Sequence, residues 1–164
     1  MPFAENSPYW DTPAATGKTQ GEIMGLLENF GAESIMFAQG SSEGKTAWMV
    51  RFHWLGKSYR FLFSPLPIQF PEKTYTVSGK KVSARERSLK QMGRIALYFV
   101  KAILTAAEMN QDALFGFLEL PQATTKSGVP VTTAELDISG LIKTLPEYVP
   151  SRLLTDRGDA YDAR

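Results

Sequence analysis

The chain contains no cysteine, and its only histidine is His53. The lack of cysteine excludes disulfides, thiolate metal ligands and cysteine nucleophiles, and one imidazole cannot supply a metal centre built on several histidines. The carboxylates are scattered along the sequence, and no serine is predicted to lie in the strand-turn-helix setting of a nucleophile elbow. We therefore expect a protein without enzymatic activity and without a metal or other cofactor.

Long apolar stretches are also absent. The longest, over 95–107, is interrupted by Lys101 and is shorter than the roughly 20 residues that a membrane-spanning helix needs. The first ten residues have neither the basic start nor the apolar core of a secretory signal. We expect a cytoplasmic protein that makes no contact with a membrane.

The composition is typical of a globular protein. The 164 residues are 43% hydrophobic and 21% charged, which is sufficient for one domain with a substantial core. Residues 1–18 are rich in proline, alanine and threonine and predict an extended N-terminal arm. We expect a single domain over 19–150 and a polar, mobile tail over 151–164.

The strongest pattern predicts a long amphipathic helix over 83–110. Apolar residues recur along it every three or four positions, as a buried helical face requires. Ser83 and Glu86 have the spacing of a capping box, which predicts where the helix starts. The apolar face comprises Leu89, Met92, Ala96, Phe99, Val100, Ile103 and Ala107.

Basic residues are concentrated in and just before this helix. Between positions 80 and 101 there are seven of them and a single acid, Glu86. Four of them, Arg87, Lys90, Arg94 and Lys101, fall within a helical sector roughly 60° wide, opposite the apolar face. We call these four residues the basic stripe. We expect this stripe to lack ion-pair partners on its own helix, which favours an external anion; a solvated helix surface is the alternative. The predicted nucleic-acid-binding residues are Lys80, Lys81, Arg87, Lys90, Arg94 and Lys101.

The segment before the long helix predicts a shorter helix and three strands. Thr19 and Glu22 have capping-box spacing, and Gly31 marks the end of a helix over 20–30. Alternating apolar residues predict strands over 33–39, 45–55 and 58–63. Gly56 followed by Lys57 is typical of a two-residue hairpin loop, and 73–77 is compatible with a short edge strand.

The predicted hairpin has one aromatic face and one partly basic face. Its register sets His53 beside Arg60 and Arg51 beside Leu62. Arg51, His53 and Arg60 are therefore additional candidate phosphate contacts, although a lone histidine on a strand is more typical of half-exposed surface. The aromatic face could stack nucleic-acid bases, but two amphipathic helices need a surface to cover, which favours a buried core.

Together these elements predict an α+β fold with a small antiparallel sheet of three or four strands. The short N-terminal helix and the long helix pack on one face of this sheet, in α-β-β-β-α order. Asp112 then predicts the cap of a short C-terminal helical region that Pro121 ends. A polar loop is expected over 122–133.

This order of elements resembles that of double-stranded-RNA-binding domains. The resemblance covers residues 18–110 and includes Gly79-Lys80-Lys81 before the long helix, although the lysine-alanine pattern usual in those domains is not matched. It implies a nucleic-acid partner.

Five short motifs over residues 19–121 support a second resemblance. They are Phe30-Gly31-Ala32, Leu62-Phe63-Ser64-Pro65-Leu66-Pro67, the basic and aromatic stretch 92–104, Met109, and Phe117-Leu118-Glu119-Leu120-Pro121. Their order resembles that in a poorly characterised family of small proteins from tailed phages and integrated mobile elements, although the tryptophan associated with the family's long helix is absent. The resemblance implies a mobile-element origin, hence the cytoplasm of a host cell, and no particular activity.

We expect a non-enzymatic accessory protein of phage or mobile-element origin that binds the DNA or RNA backbone through the basic helix face. The alternative is a protein–protein interaction module, either a host-factor inhibitor or a phage assembly component, with no nucleic-acid contact. Backbone binding weakens steeply with salt, whereas an apolar protein interface does not.

Overall fold

The computed structural model describes residues 2–42, 45–124 and 128–136, apart from the side chains of Ser42 and Lys45. The chain divides into two compact units, Met1–Ala134 and Glu135–Arg164, and the described residues belong almost entirely to the first. The tail predicted over 151–164 lies outside the described residues. The first unit combines helices with small antiparallel sheets, which confirms the mixed α and β class.

The described strands form three separate sheets instead of the single sheet that we predicted. One sheet has the order β1-β2-β3, and the others are the two-stranded pairs β4-β5 and β6-β7. The elements in chain order are a 3₁₀ turn Ala4–Asn6, α1 Thr16–Phe30, β1 Ser34–Ser42, β2 Lys45–Trp54, β3 Lys57–Phe63, β4 Thr74–Val77, β5 Lys80–Ser83, α2 Ala84–Met109, a 3₁₀ segment Gln111–Phe117, β6 Glu119–Thr124, β7 Pro130–Thr132 and a 3₁₀ turn Thr133–Glu135.

α1 begins earlier than predicted. Its N-cap is Ala15, and no side chain caps it. Thr19 lies inside the first turns, where it is buried and donates its hydroxyl to the Ala15 carbonyl at 3.3 Å, so the predicted Thr19–Glu22 capping box is wrong. The end of the helix is as predicted, because Gly31 adopts a φ of 90° and closes it.

α2 has the predicted bounds. The Ser83 side chain accepts a hydrogen bond from the backbone N–H of Glu86 at 3.2 Å, which satisfies one of the N–H groups that a helix start leaves without a partner. Its apolar face packs with α1 against one face of the three-stranded sheet. Neither α-helix of the described part is long and apolar enough to cross a membrane.

The aromatic face of the sheet forms the core. Trp48, Phe52 and Phe61 expose at most 1% of their surface beneath the two helices. Phe99 of α2 packs edge-on against Phe61, with ring centroids 5.8 Å apart. The prediction of a buried aromatic face is confirmed, and stacking of bases on this face is excluded because the helices cover it.

The hairpin between β2 and β3 turns one residue earlier than predicted. Trp54 pairs with Lys57, which makes Leu55-Gly56 the loop. Both loop residues have positive φ, 49° for Leu55 and 73° for Gly56, as a type I′ turn requires. The pairs are therefore shifted by two positions from the predicted register.

A shift of two positions changes cross-strand neighbours but keeps every side chain on its predicted face. Arg51 lies opposite Arg60, and His53 lies opposite Ser58. The predicted pairs of His53 with Arg60 and of Arg51 with Leu62 are wrong, although all of these residues lie on the open face, away from the helices.

The remaining strands form hairpins that we predicted only in part. The expected edge strand over 73–77 is present as β4, but it pairs with β5 and not with the main sheet. Pro121 lies within β6, and much of the predicted polar loop over 122–133 belongs to the β6-β7 hairpin. The 3₁₀ segment before β6 is capped by Asn110, whose side chain accepts from the Asp112 N–H, and not by Asp112 as predicted.

The N-terminal segment, residues 2–15, packs against the rest of the first unit. The Ala4 N–H donates to the Pro67 carbonyl at 2.8 Å. Ala4 and Trp10 form a small buried cluster with Ala84 at the start of α2. Part of the predicted arm is therefore a packed layer over the N-terminal end of the long helix.

Candidate nucleic-acid interface

Arg87, the first residue of the predicted basic stripe, is inside the protein. It exposes only 6% of its surface, and its Nε donates to the Trp10 carbonyl at 2.6 Å. The guanidinium forms an ion pair with Asp11 and lies 4.8 and 4.5 Å from the ring centroids of Trp10 and Tyr75. Burial lowers the pKa of this guanidinium. The prediction of an exposed Arg87 is wrong, and the side chain has no access to an external phosphate.

The N-terminal end of α2 has a second buried face, which explains the position of Arg87. Ala84, Arg87, Ser88 and Gln91 are all buried and have the i, i+3, i+4, i+7 spacing of one helix face. The N-terminal segment covers this face. Gln91 holds it there by placing its Nε2 at 2.9, 3.1 and 2.8 Å from the carbonyl oxygens of Ala4, Ser7 and Pro8.

Lys90 and Arg94 have acidic partners. The Lys90 Nζ lies 3.0 Å from Glu86, four residues earlier on the same helix, and Arg94 lies 3.0 Å from Glu22 on α1. The Arg94 guanidinium also lies 5.4 Å from the ring centroid of Tyr98. The expectation of no acidic partner on the same helix is therefore wrong at Lys90, whereas Arg94 and Arg87 have acidic partners outside α2 that we did not predict. An ion pair of this kind leaves less free charge for an external anion.

Lys101 is exposed and forms no ion pair within the described part of the chain. It lies sixteen residues beyond Arg85, which is about 24 Å along the helix axis. The predicted stripe therefore leaves one free cation at its C-terminal end, too far from Lys80 and Lys81 to act with them as a single continuous site.

The cations on the open face of the sheet bind Glu119 of β6. The Arg51 Nε donates to the Glu119 carboxylate at 2.7 Å, and the Arg60 Nε lies 3.6 Å from its other oxygen. Arg60 also donates to the Pro130 carbonyl at 3.0 Å. Both arginines therefore hold the β6-β7 hairpin on the sheet, while His53 lies 3.3 Å from the Ser58 hydroxyl. These contacts account for the presence of Arg51, Arg60 and His53 on this face without any external phosphate.

Three cations at the start of α2 are exposed and form no ion pair among residues 2–42, 45–124 and 128–136. Two of them, Lys80 and Lys81, lie on β5, and Arg85 lies in the first turn of α2. We call Lys80, Lys81 and Arg85 the basic patch. Its residues lie within six positions of each other in the sequence. Because strand alternation directs Lys80 and Lys81 to opposite faces of the β4-β5 hairpin, a polyanion that contacts both must lie across the end of that hairpin.

Hydroxyl groups lie beside Lys81 of the basic patch. Thr76 is paired with Lys81, and Thr74 with Ser83, so alternation places all four side chains on one exposed face of the β4-β5 hairpin. Hydroxyl donors and cations are the groups with which proteins contact phosphate oxygens. The face therefore has the chemistry of a phosphate-binding surface.

A cavity of about 370 Å³ opens beside Arg85, between the start of α2 and the proline-rich segment 65–71. Pro65, Pro67 and Pro71 form part of its wall, and Ser88 lies at its α2 side. The cavity gives the Arg85 guanidinium room to meet a ligand. The described residues contain no cluster of three or more histidine or acidic side chains that could hold a metal ion.

Arg85 was missing from the predicted site, although it belongs to the basic segment. It is two residues from Arg87, hence about 200° around the helix. An inward Arg87 therefore implies an outward Arg85. Arg85 would have been found by recognising that α2 has a buried polar face, which includes Ser88 and Gln91. A search for apolar periodicity does not detect such a face.

No protein-family model, no curated protein and no solved structure matches this chain.

Proposed function

We propose that the chain binds the phosphate backbone of nucleic acid through the basic patch, Lys80, Lys81 and Arg85. The supporting observation is that these three cations are exposed and lack an ion-pair partner in the described part of the chain, whereas Arg87, Lys90 and Arg94 have one. Cations of this kind release counterions when they neutralise phosphates, which supplies sequence-independent affinity. The proposal involves no catalytic step.

The proposed binding is weak and insensitive to sequence. Sequence-independent contacts typically give dissociation constants of about 10⁻⁴ to 10⁻⁶ M at physiological salt. Three phosphate contacts on duplex DNA predict a loss of about 40-fold in affinity between 50 and 200 mM salt, from a slope of about 0.9 per contact. The binding is insensitive to sequence because contacts to phosphate oxygens carry no direct sequence information.

The proposal is tested by exchanging the basic patch for neutral residues. The variant Lys80→Gln, Lys81→Gln, Arg85→Gln is compared with wild type for binding to a labelled mixed-sequence duplex, by fluorescence anisotropy at low salt. We expect at least a tenfold loss of affinity with an unchanged melting temperature. Shuffling the duplex sequence should leave the wild-type affinity within about twofold, because phosphate contacts carry no sequence information.

A matched control removes the same charge elsewhere. Lys18, Lys57 and Lys101 are exposed, and changing all three to glutamine gives the same net charge as the basic-patch variant. We expect this control to lose less affinity than the basic-patch variant, because its three lysines make no phosphate contact in the proposed binding mode and act on the duplex only at long range. Equal losses in the two triple variants, or no wild-type binding at low salt, would contradict the proposal.

A second candidate function is protein binding through the open face of the three-stranded sheet. Met36 and Leu62 on that face expose 43% and 57% of their surface, and contiguous exposed apolar groups are typical of interaction sites. Binding there would depend little on salt, which separates it from backbone binding. The proposed origin in a phage or mobile element rests on the order of the sequence motifs alone.

A further inference from the structure

β1 is an edge strand. It runs for nine residues, Ser34–Ser42, and within the described ranges only β2 pairs with it. The register from Ile35 opposite Phe52 to Gly40 opposite Ala47 is continuous and contains no bulge. A regular edge of this kind presents a row of backbone N–H and C=O groups to a further strand.

The sequence of β1 lacks the features that usually prevent edge strands from pairing. Natural edges are protected by charged side chains, especially lysine, by proline or by a bulge. The nine residues SIMFAQGSS contain no charged residue and no proline. Within these nine residues, pairing of β1 with a second strand of the same sequence therefore brings no like charges together.

Part of the open face of the sheet beside β1 is apolar. The registers place Ala38, Met49 and Leu62 in one row across the three strands. Met36 lies next to this row on β1 and is substantially exposed. Ala38, Met49 and Leu62 line a shallow cavity of about 230 Å³. An apolar surface therefore extends up to the edge of β1 that no strand of the described residues covers.

We propose that β1 pairs antiparallel with β1 of a second copy of the chain, around a two-fold axis at Ala38. This register uses all nine residues of each strand. It sets Met36 opposite Gly40 of the second copy, and Phe37 opposite Gln39 of the second copy, so each large side chain faces a smaller one. The two sheets become one of six strands. Because the axis is perpendicular to the sheet, the apolar parts of the two open faces lie on the same side of the six-stranded sheet.

A second copy fits this edge better than a free peptide does. β2 already orders β1 in each copy, whereas a free peptide must be ordered at about 1–2 kcal/mol per residue of backbone. Two-fold dimers are also the commonest homo-oligomers. Pairing along one strand without a large apolar core predicts a weak dimer, with a dissociation constant of about 10–100 μM.

The absence of cysteine makes the register testable by cross-linking. Met36→Cys and Gly40→Cys are treated with a short bis-maleimide, each alone and as an equal mixture. Both should fold, because Met36 is exposed and a Cβ at Gly40 meets no atom within 4 Å. We expect the mixture to form covalent dimers at least tenfold faster than either variant alone. Positions 36 and 40 face each other across the axis, whereas the two copies of position 36 lie about 14 Å apart.

Two further variants complete the cross-linking series. Ala38→Cys lies on the axis and should cross-link efficiently with itself. Thr105→Cys lies on the exposed surface of α2, outside the proposed interface, and should cross-link only at the rate of random collision. A mixture of Met36→Cys and Gly40→Cys that reacts no faster than its components would overturn the proposed pairing.

Sedimentation velocity over a concentration series tests association without cross-linking. Ala38→Lys places two ammonium groups opposite each other on the axis and should weaken the dimer at least tenfold, whereas Thr105→Lys on α2 should leave it unchanged. A wild-type chain that remains monomeric up to about 1 mM would refute the dimer; that is also the result expected if a different protein occupies the edge. None of these variants alters the basic patch, so the outcome is independent of the proposed function.

Discussion

Arg85 and Arg87 are two residues apart on one helix and lie in opposite environments. Arg85 is exposed beside a cavity, and Arg87 is buried against Trp10 and Asp11. The difference follows from helix geometry, because two residues correspond to about 200° of rotation. Sequence alone places both in one basic run, so their roles separate only when the cover over α2 is known.

This pair gives a stability prediction with its own control. Arg87→Gln should lower the free energy of unfolding by about 1–3 kcal/mol, because it leaves the Trp10 carbonyl without its donor and removes a buried cation from two aromatic rings. Arg85→Gln should change it by less than about 0.5 kcal/mol. Urea denaturation with a shared m-value measures both. Equal unfolding free energies for the two variants would mean that the N-terminal segment does not cover α2.

Glu5 makes the packing of the N-terminal segment dependent on pH. Partial burial of the Glu5 carboxyl raises its pKa. Two effects lower the pKa: the carboxylate accepts hydrogen bonds of 3.0 Å from the backbone N–H groups of Gln69 and Phe70, and Lys73 lies nearby. The net result is a pKa below the ordinary value of 4.5. A carboxyl with a lowered pKa in the folded state contributes stability that is complete above the unfolded-state pKa and is lost as the pH falls through the folded-state pKa.

The wild-type chain should therefore lose stability on acidification below about pH 4.5 more steeply than Glu5→Gln does. The neutral amide cannot bind a proton in this range, so its contacts with the 69–70 backbone do not titrate. Thermal melts at pH 6, 4 and 3 measure the difference. Parallel pH profiles for the two proteins would show that these hydrogen bonds are not formed in solution.

At the scale of elements, Gly93 determines how closely α2 approaches the sheet. A Cβ at this position would lie 2.9 Å from the Cη2 of Trp48 and 3.4 Å from the Cγ2 of Thr19. The indole is fully buried, so it has little room to move. A side chain at position 93 would therefore push α2 away from β2 and α1.

Gly93→Ala should lower the free energy of unfolding by about 1–3 kcal/mol through overpacking, although alanine favours a helix over glycine by about 1 kcal/mol. Gly21→Ala in α1 is the matched control. It has no atom within 4 Å of the added Cβ and should stabilise the protein by about 0.5–1 kcal/mol. Denaturant melts of the two variants should move in opposite directions. A stabilising Gly93→Ala would mean that α2 packs less tightly on Trp48.

Elements with strong local signals could be predicted from the sequence. α2 has a capping side chain and a regular apolar face, and the alternation in β2 and β3 assigns the correct faces even though the loop is one residue off. The β6-β7 hairpin could not be predicted, because β6 contains Pro121 and its pairing with β7 is irregular. Proline and short irregular strands are more typical of loops.

At the scale of the whole molecule, the partners of the predicted cations explain why only part of the site could be predicted. Arg87, Arg94 and Arg51 meet groups that lie 77, 72 and 68 residues away in sequence. Such contacts depend on the tertiary fold and leave no local pattern. The pair of Lys90 with Glu86 is different, because a spacing of four residues on a helix is visible in the sequence. Lys80 and Lys81 remain in the proposed site. Arg85 takes the place of the four stripe residues, Arg87, Lys90, Arg94 and Lys101.

The salt dependence of DNA binding tests the proposed function most directly. With Lys80, Lys81 and Arg85 as the contacts, the wild-type plot of log affinity against log salt concentration should have a slope of about −2.7 on a duplex. The triple glutamine variant of the basic patch should have a slope near zero, and the Lys18, Lys57 and Lys101 variant should keep the wild-type slope. A basic-patch variant that retains the wild-type slope would contradict phosphate binding by these three residues.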